Sequence, residues 1–259
     1  MIKKKIASVA LFSLFTVLNL SNSVEAAGKK PPINHEDQYT ACIKLVERRP
    51  DAAFEAALSW ASQGGGFPAE HCATQALYAL KIYDAAATRL EKLADAMKTD
   101  NAELRSQLLH QAGRAWYDHG DLERAFAVQS TAITLYPDGT DYYIDRAEIL
   151  AELGRFNEAL IDLEVAHSLD PERDDIITLR ATAKRYLGDD IGAKTDIDRA
   201  LEINPDNQEA LLERGILKRI KGDDTGARED WLRIVNMALG TPAADAAQRN
   251  LEKLDVKVE

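Results

Sequence analysis

The chain has few of the residues from which catalytic, metal and disulfide-rich sites are built. It holds two cysteines and five histidines in 259 residues. Two cysteines are too few for a disulfide-built miniprotein, and no histidine has a partner at i+4 or at a zinc-type spacing. The Gly-rich segment "QGGGF" (63–67) lacks the Lys-Ser/Thr pair that a phosphate loop requires. We therefore expect no catalytic residue, no metal site and no cofactor, and the chain is predicted not to be an enzyme.

Long apolar runs are also lacking, apart from residues 6–20. Three lysines precede this run, and Val24 and Ala26 have the spacing that a signal peptidase prefers. An uncleaved membrane anchor is the alternative, but the run falls short of the roughly 20 apolar residues that span a bilayer. We predict a signal peptide at 1–26 and a polar linker at 27–36. This pattern predicts a periplasmic or secreted protein with no membrane insertion after cleavage.

Positive charge is scarce relative to negative charge. The full chain has 32 Lys and Arg against 43 Asp and Glu, for a net charge of −11. The sequence shows no basic stripe that would overcome the repulsion between this charge and a phosphate backbone. Nucleic acid and anionic membrane surfaces are therefore predicted to be poor partners.

What the sequence does contain is a repeat of 34 residues. From about Asp37 onward the apolar residues recur at helical spacing, and no stretch alternates as a strand would. A Gly followed five residues later by an Ala occurs four times at this period. The pairs are Gly120 and Ala125, Gly154 and Ala159, Gly188 and Ala193, and Gly222 and Ala227. Pro137, Pro171 and Pro205 keep the same period.

This pattern resembles the tetratricopeptide repeat, whose period is 34 residues with two helices per unit. The segment "YYIDRAEILAELGRFNEALIDLEVAHSLDP" (142–171) carries the family's small residue in the first helix, its Gly, its Ala and its final Pro. The resemblance implies an all-α, right-handed α–α superhelical solenoid of helix pairs with a C-terminal capping helix. It covers just over half the chain.

The repeat divides the chain into three regions after the linker. Residues 37–105 are predicted to form degenerate helix pairs. Residues 106–241 are predicted to form four units, at 106–139, 140–173, 174–207 and 208–241. Residues 242–259 are predicted to be a capping helix and a tail, because the end of a solenoid needs a cover for its last apolar face.

The repeated residues have predicted structural roles. Each Gly is expected to take a positive φ where the first helix ends. Each Ala is expected to face the small residue of the first helix, which is Gly113, Ala147, Ala181 or Gly215. Two small side chains would let the paired helices cross closely.

Arg and Asp also recur together, sixteen residues apart, in three of the four units. The pairs are Arg146 with Asp162, Arg180 with Asp196, and Arg214 with Asp230, and the first unit has Ala112 and Val128 instead. We predict an ion pair that ties the two helices of each unit. The alternative is coincidence between charges on solvated faces.

Cys42 and Cys72 are expected to lie on the first helices of adjacent pairs, which are neighbours in a stacked solenoid. An exported protein usually pairs its cysteines, so we predict a disulfide. Two buried free thiols are the alternative.

The outward side of the first helices would line a concave groove. Helical phase assigns to this groove the residues His110, Arg114, Tyr117, Ile144, Glu148, Thr182, Arg185, Tyr186, Leu212, Ile216 and Arg219. Leu212, Ile216 and Ile220 form an apolar stripe, which either packs against the capping helix or receives a partner. The Lys and Asn clamp with which one subfamily holds chaperone tails is absent from this face.

The resemblance implies a non-enzymatic exported scaffold that binds a partner protein or peptide in the groove, within the cell envelope. A structural protein that self-associates through the solenoid ends is the alternative. A small-molecule carrier is a third reading, which no constellation of residues supports.

Overall fold

The computed structural model describes residues 34–97, 101–237 and 239–255. These residues form thirteen α-helices and no β-strand, and none of these helices is long and apolar enough to cross a membrane. The helices are α1 (His35–Val46), α2 (Pro50–Trp60), α3 (Gly66–Ala79), α4 (Tyr83–Ala96), α5 (Ala102–His119), α6 (Leu122–Leu135), α7 (Thr140–Glu152), α8 (Phe156–Leu169), α9 (Asp174–Tyr186), α10 (Asp190–Ile203), α11 (Gln208–Ile220), α12 (Asp224–Met237) and α13 (Pro242–Asp255).

The helices pack in chain order. Each odd-numbered helix contacts the next even-numbered one, which gives six pairs from α1–α2 to α11–α12, and α13 packs on α11 and α12. The buried apolar residues follow the same order, in clusters that pass from the first pair to α13. Each pair therefore buries its apolar face against its neighbours, as in a solenoid. The predicted all-α superhelical solenoid is confirmed.

Two boundaries differ from the sequence prediction. The predicted signal peptide (1–26) lies outside the described residues, but the last two residues assigned to the linker, His35 and Glu36, are the first turn of α1. Helix α5 has 18 residues against 13 in α7, because it begins at Ala102, before the first predicted unit at 106. The Asn101 side chain accepts a hydrogen bond from the Leu104 amide and fixes this early start.

The turns within the four units share one backbone conformation. Gly120, Gly154, Gly188 and Gly222 have φ between 72° and 90°, the left-handed region that glycine adopts without steric cost. The turn between α3 and α4 repeats the hydrogen-bond pattern of the later turns but has Lys81 at φ 60°. The degenerate pair therefore has the same turn, but with Lys81 at the position where the later units have glycine.

The small residues of the first helices make room mainly for the residue sixteen positions later. A Cβ built on Gly215 would lie 2.3 Å from Trp231 Nε1, and one on Gly113 would lie 2.6 Å from Gln129 Oε1. Trp231 and Gln129 are fully buried. The Ala five residues after each turn glycine is also buried, and a Cβ built on Gly113 would lie 3.6 Å from the Ala125 carbonyl oxygen. That each Ala faces the small residue of the first helix stays a prediction.

The Arg and Asp residues that recur at sixteen-residue spacing lie in ion-pair geometry. Arg146, Arg180 and Arg214 each place Nη2 2.7 Å from Oδ1 of their Asp partner. Lys184 and Lys218 add a second cation to Asp196 and Asp230, at 2.7 and 2.9 Å. In the first unit Ala112 and Val128 are buried at the equivalent positions. The two helices of a unit are therefore tied by either a buried ion pair or an apolar contact.

The first two pairs are joined covalently. Cys42 on α1 and Cys72 on α3 form a disulfide, and both residues are buried beside Ala57 and Ala73. Between these pairs, α2 continues into a π-helical turn at Ala61–Gly65 and then kinks at Gly64, whose φ is 91°. The disulfide holds together the part of the solenoid that departs most from the repeat.

Candidate functional site: the face formed by the first helices

A cavity of about 270 Å³ lies between α7 and α9. Helix α5 approaches α7 and α9 approaches α11, but α7 and α9 are further apart from each other. Helix α8 supplies the floor of the cavity between them. Three predicted groove residues, Tyr117, Glu148 and Thr182, line this cavity, and the other lining residues are Ala147, Ala151, Glu152, Phe156, Ala159, Leu163, Leu179 and Ala183.

The floor of this cavity is apolar and its α7 edge is acidic. Phe156, Ala159 and Leu163 from α8 form the floor, whereas Glu148 and Glu152 project from α7. A second cavity of about 60 Å³ adjoins the first, since Tyr117 and Glu148 line both. Arg114 and Asp145 line the smaller cavity.

The acidic edge extends along the whole of α7. Asp141, Asp145, Glu148 and Glu152 are spaced by four, three and four residues, which places them on one side of a helix. Asp141 pairs with Arg173 at 2.6 Å, and Asp145 lies 3.7 Å from Arg114. Within the part of the chain that the structure describes, neither Glu148 nor Glu152 has a hydrogen bond or an ion-pair partner within 4.0 Å.

Known proteins share this arrangement of paired helices. Residues 114–184 match the family model described as "Tetratricopeptide repeat". The chain is 14% identical to pilF of Pseudomonas aeruginosa, with a TM-score of 0.64 over 83% of this chain and 97% of that one. The chain has the tetratricopeptide repeat fold.

Two further comparisons agree with this fold. YrrB, described as a TPR protein with an unusual peptide-binding site, is 16% identical with a TM-score of 0.53, over 82% of this chain and 97% of that one. The curated relatives are "DnaJ homolog subfamily C member 7" of Mus musculus and of Homo sapiens, each 35% identical over 85 residues. That match spans 33% of this chain and 16% of each relative.

Beside the cavities, the tetratricopeptide scaffold buries a polar network that leaves one carboxylate oxygen without a donor. Gln129 Nε2 donates to the Tyr142 carbonyl and to His110 Nδ1, both at 2.9 Å. Because His110 Nδ1 accepts this bond, it has no proton to give to Asp145 Oδ2, which lies 3.5 Å away. Asp145 Oδ2 is buried and has no hydrogen-bond partner among the described residues.

The pKa values of this network follow from burial. Burial, together with the charge of Arg114, lowers the pKa of His110 to about 4. Burial raises the pKa of Asp145 to about 6, although Arg114 opposes this rise. Burial also raises the pKa of Glu148, and the charge of Arg114 again opposes the rise. At neutral pH His110 is therefore uncharged, and the contact between His110 and Asp145 is not an ion pair.

The N-terminal part of the same face carries a larger cavity, of about 500 Å³, between α1, α3 and α5. His71 forms hydrogen bonds to the Tyr39 hydroxyl through Nδ1, at 2.8 Å, and to Gln111 Oε1 through Nε2, at 3.1 Å. Phe67 and Leu108 also line this cavity. The first helices therefore present a second recess with a mixed polar and apolar lining.

The C-terminal part of this face is more closed than the sequence predicts. Arg185 is paired with Glu213 of α11 at 2.5 Å. Tyr186 is exposed but stacks on Phe156, with ring centroids 4.2 Å apart. Arg219 is exposed.

The apolar stripe on α11 is covered over part of its length. Leu212 and Ile216 are half-buried in the cluster that contains the capping-helix residues Ala247 and Leu251. Ile220 is 56% exposed. The stripe is therefore free only at its C-terminal end.

Two residues predicted for the groove do not belong to an open surface. Ile144 is buried in the cluster with Leu163 and Ala166, because its side of α7 faces α8. His110 is mostly buried and stacks on Tyr142, with ring centroids 4.4 Å apart. The helical phase assigned from the sequence is therefore wrong at Ile144, and His110 belongs to the polar network.

Sequence reasoning also missed several residues of the site. The four-three-four spacing of acidic residues on α7 is visible in the sequence and identifies Asp145 and Glu152. Phe156 and Leu163 carry no such signal, because they reach the site only where α7 and α9 separate. Among the described residues no group of three His, Cys, Asp or Glu side chains is arranged to hold a metal ion.

Proposed function

We propose that this protein is a non-enzymatic scaffold that binds a partner protein or peptide on the face formed by its first helices, after export to the cell envelope. The observation that carries this proposal is the cavity between α7 and α9. It combines an apolar floor with unpaired carboxylates on a rigid helical frame. Such a preformed surface needs little ordering when a partner binds.

The size of the cavity between α7 and α9 also favours a protein partner over a small molecule. Sites for drug-sized ligands enclose about 300–1,000 Å³ and bury most of the ligand. The cavity between α7 and α9, at about 270 Å³, is suited to one large side chain from a longer ligand. The repeat fold alone does not define a partner, since one fold serves many functions.

Site-specific photo-crosslinking tests where the partner binds. A photoreactive amino acid replaces Leu179 at the edge of the cavity, and a second variant carries it at Ile161, which is 60% exposed on α8. We expect a discrete crosslinked species in intact cells from position 179 and not from position 161. Crosslinking from position 161 alone would place the binding surface elsewhere.

Export is tested by fractionation and by sequencing the N-terminus of the protein from cells. We expect a mature protein that begins at Ala27 and is found outside the cytoplasm. A protein in the cytoplasm that retains residues 1–26 would refute the proposed location without affecting the proposed binding surface.

Light scattering across a range of concentrations separates this proposal from self-association through the solenoid ends. Helix α13 buries Ala243, Ala247 and Leu251 while Asp245, Gln248 and Glu252 face outward, exposed. The C-terminal end thus presents a polar surface, and we expect a monomer. A mass that rises with concentration would favour self-association.

A further inference from the structure

We infer that the partner presents an extended segment in which a bulky apolar side chain is flanked by lysine or arginine residues, and that this segment docks between α7 and α9. The inference rests on the proposed function and specifies the chemistry of the partner at this surface. Its two parts, the apolar residue and its basic neighbours, come from separate features of the cavity.

The apolar part follows from the lining. Ala147, Ala151 and Ala183 are small, and they leave the space that Phe156 and Leu163 close from below. An apolar side chain of a partner would replace water against this floor, and burying a large apolar side chain contributes favourably to binding in proportion to the area removed from water. A polar side chain would find few hydrogen-bond partners there.

The basic part follows from the balance of charges around the cavity. Every cation on α7 and α9 is held by a carboxylate from another helix. Arg146 pairs with Asp162, Arg180 and Lys184 both pair with Asp196, and Arg185 pairs with Glu213.

The acidic residues outnumber what these cations can neutralise. Arg114 is the cation that remains near Glu148, and it already lies within 3.7 Å of Asp145. Asp118 accepts a hydrogen bond from the Tyr78 hydroxyl. Glu148 therefore shares Arg114 with Asp145, and with Glu152 it leaves net negative charge at the rim. Lysine or arginine side chains of a partner would complement this charge, and an acidic partner would be repelled.

The test is fluorescence anisotropy with four matched heptapeptides and the full mature chain. The first peptide is Gly-Lys-Lys-Phe-Lys-Lys-Gly. The second replaces Phe by Ser, the third replaces all four Lys by Glu, and the fourth makes both changes. We expect the Lys and Phe peptide to bind at least about tenfold more tightly than any other, and its affinity to fall as salt is raised.

Variants locate the binding on the chain. We expect the double variant Glu148→Gln, Glu152→Gln to lose about tenfold in affinity for the Lys and Phe peptide, since each exposed charge contributes modestly. The matched control is Glu123→Gln, Glu164→Gln, which makes the same charge change at exposed positions of α6 and α8 and should bind like the parent chain. Circular dichroism shows whether each variant is folded.

A second pair of variants tests the apolar part. Ala151→Trp fills the cavity and should remove the advantage of Phe over Ser. Ala127→Trp adds the same bulk at an exposed position of α6 and should leave that advantage unchanged.

Three results would overturn the inference: tighter binding of the Glu peptides, equal binding of all four peptides, or unchanged binding by the Glu148→Gln, Glu152→Gln variant. Failure of the inference is distinguishable from failure of the proposed function. Photo-crosslinking at Leu179 to a partner without this pattern would overturn the inference alone, whereas loss of both results would overturn the two together.

Discussion

Asp145 provides the sharpest test of the electrostatics of this surface. Its side chain is 14% exposed, and burial raises its pKa from 3.8 to about 6. Because one pKa unit corresponds to about 1.4 kcal/mol, this difference means that the ionised carboxylate costs the folded state about 3 kcal/mol at pH 7. Asp145→Asn keeps the shape and removes the charge, so we expect it to raise the free energy of unfolding by up to that amount.

The sign of the pH dependence follows from the raised pKa. Between pH 4 and pH 6 the folded protein binds a proton at Asp145 that the unfolded chain does not bind, so the cost of this residue to the folded state decreases as the pH falls. We therefore expect the advantage of Asp145→Asn to be largest at pH 7 and to disappear by about pH 4. Urea unfolding of both proteins across this range measures the difference.

A neighbouring residue supplies the control. Asp141 lies one turn earlier on α7, is 67% exposed, and pairs with Arg173. An exposed pair contributes about 0–1 kcal/mol, so Asp141→Asn should be neutral or slightly destabilising at every pH. If Asp145→Asn destabilised the protein at pH 7, or if its effect did not change with pH, the burial argument for Asp145 would be refuted.

Four further predictions concern the frame of the solenoid. Arg146→Ala and Asp162→Val should each destabilise more than the two together, because a single change leaves a buried charge without its partner, at a cost of about 3–5 kcal/mol; a double-mutant cycle measured by urea unfolding tests this. Gly215→Ala should cost about 1–3 kcal/mol through its clash with Trp231. Gly113→Ala should cost less, since the one atom within 3.0 Å of its Cβ would be Oε1 at the end of the Gln129 side chain; thermal unfolding compares the two. Lys81→Gly should raise the melting temperature, because a left-handed backbone costs about 1–2 kcal/mol at a residue with a Cβ; Gly154→Ala, the reverse change, should lower it. Replacing Cys42 and Cys72 by Ser should cost about 3–4 kcal/mol in the chain-entropy model, and hydrogen exchange should then rise in α1 and α2 but not in α9 to α12.

The fold could be predicted from the sequence because residues with the same structural role recur at the same position of each repeat. One Gly could be a chance occurrence, but Gly120, Gly154, Gly188 and Gly222 at one period indicate one backbone conformation, which all four adopt. The Arg and Asp pairs were visible for the same reason. Consecutive helix pairs of a solenoid stack with their first helices as neighbours, and this is why Cys42 and Cys72 could be placed side by side.

The site could be predicted only in part, because it depends on how far apart the helices of neighbouring units lie, which the repeat period does not give. Helical phase placed Tyr117, Glu148 and Thr182 on the side of their helices that lines the cavity. It gave no information about the distance between α7 and α9, and that distance decides whether Phe156 and Leu163 of α8 contribute to the surface. Helical phase was wrong for Ile144, whose side chain lies in the core beside Leu163 and Ala166.

Glu148 and Glu152 illustrate how a repeat protein acquires a specific surface without changing its frame. The positions 34 residues later are Thr182 and Tyr186, so the acidic charge belongs to one unit and not to the repeat as a whole. Burial raises the pKa of Asp145 in the same unit, whereas Asp196, although burial opposes its ionisation, has a pKa held below its usual value by hydrogen bonds from Arg180 and Lys184. A carboxylate that is buried, and whose cation partner is the exposed Arg114 at 3.7 Å, is more readily explained by binding than by folding. If Asp145→Asn both stabilises the protein and weakens the binding of the Lys and Phe peptide, the two measurements together would assign this charge to the partner.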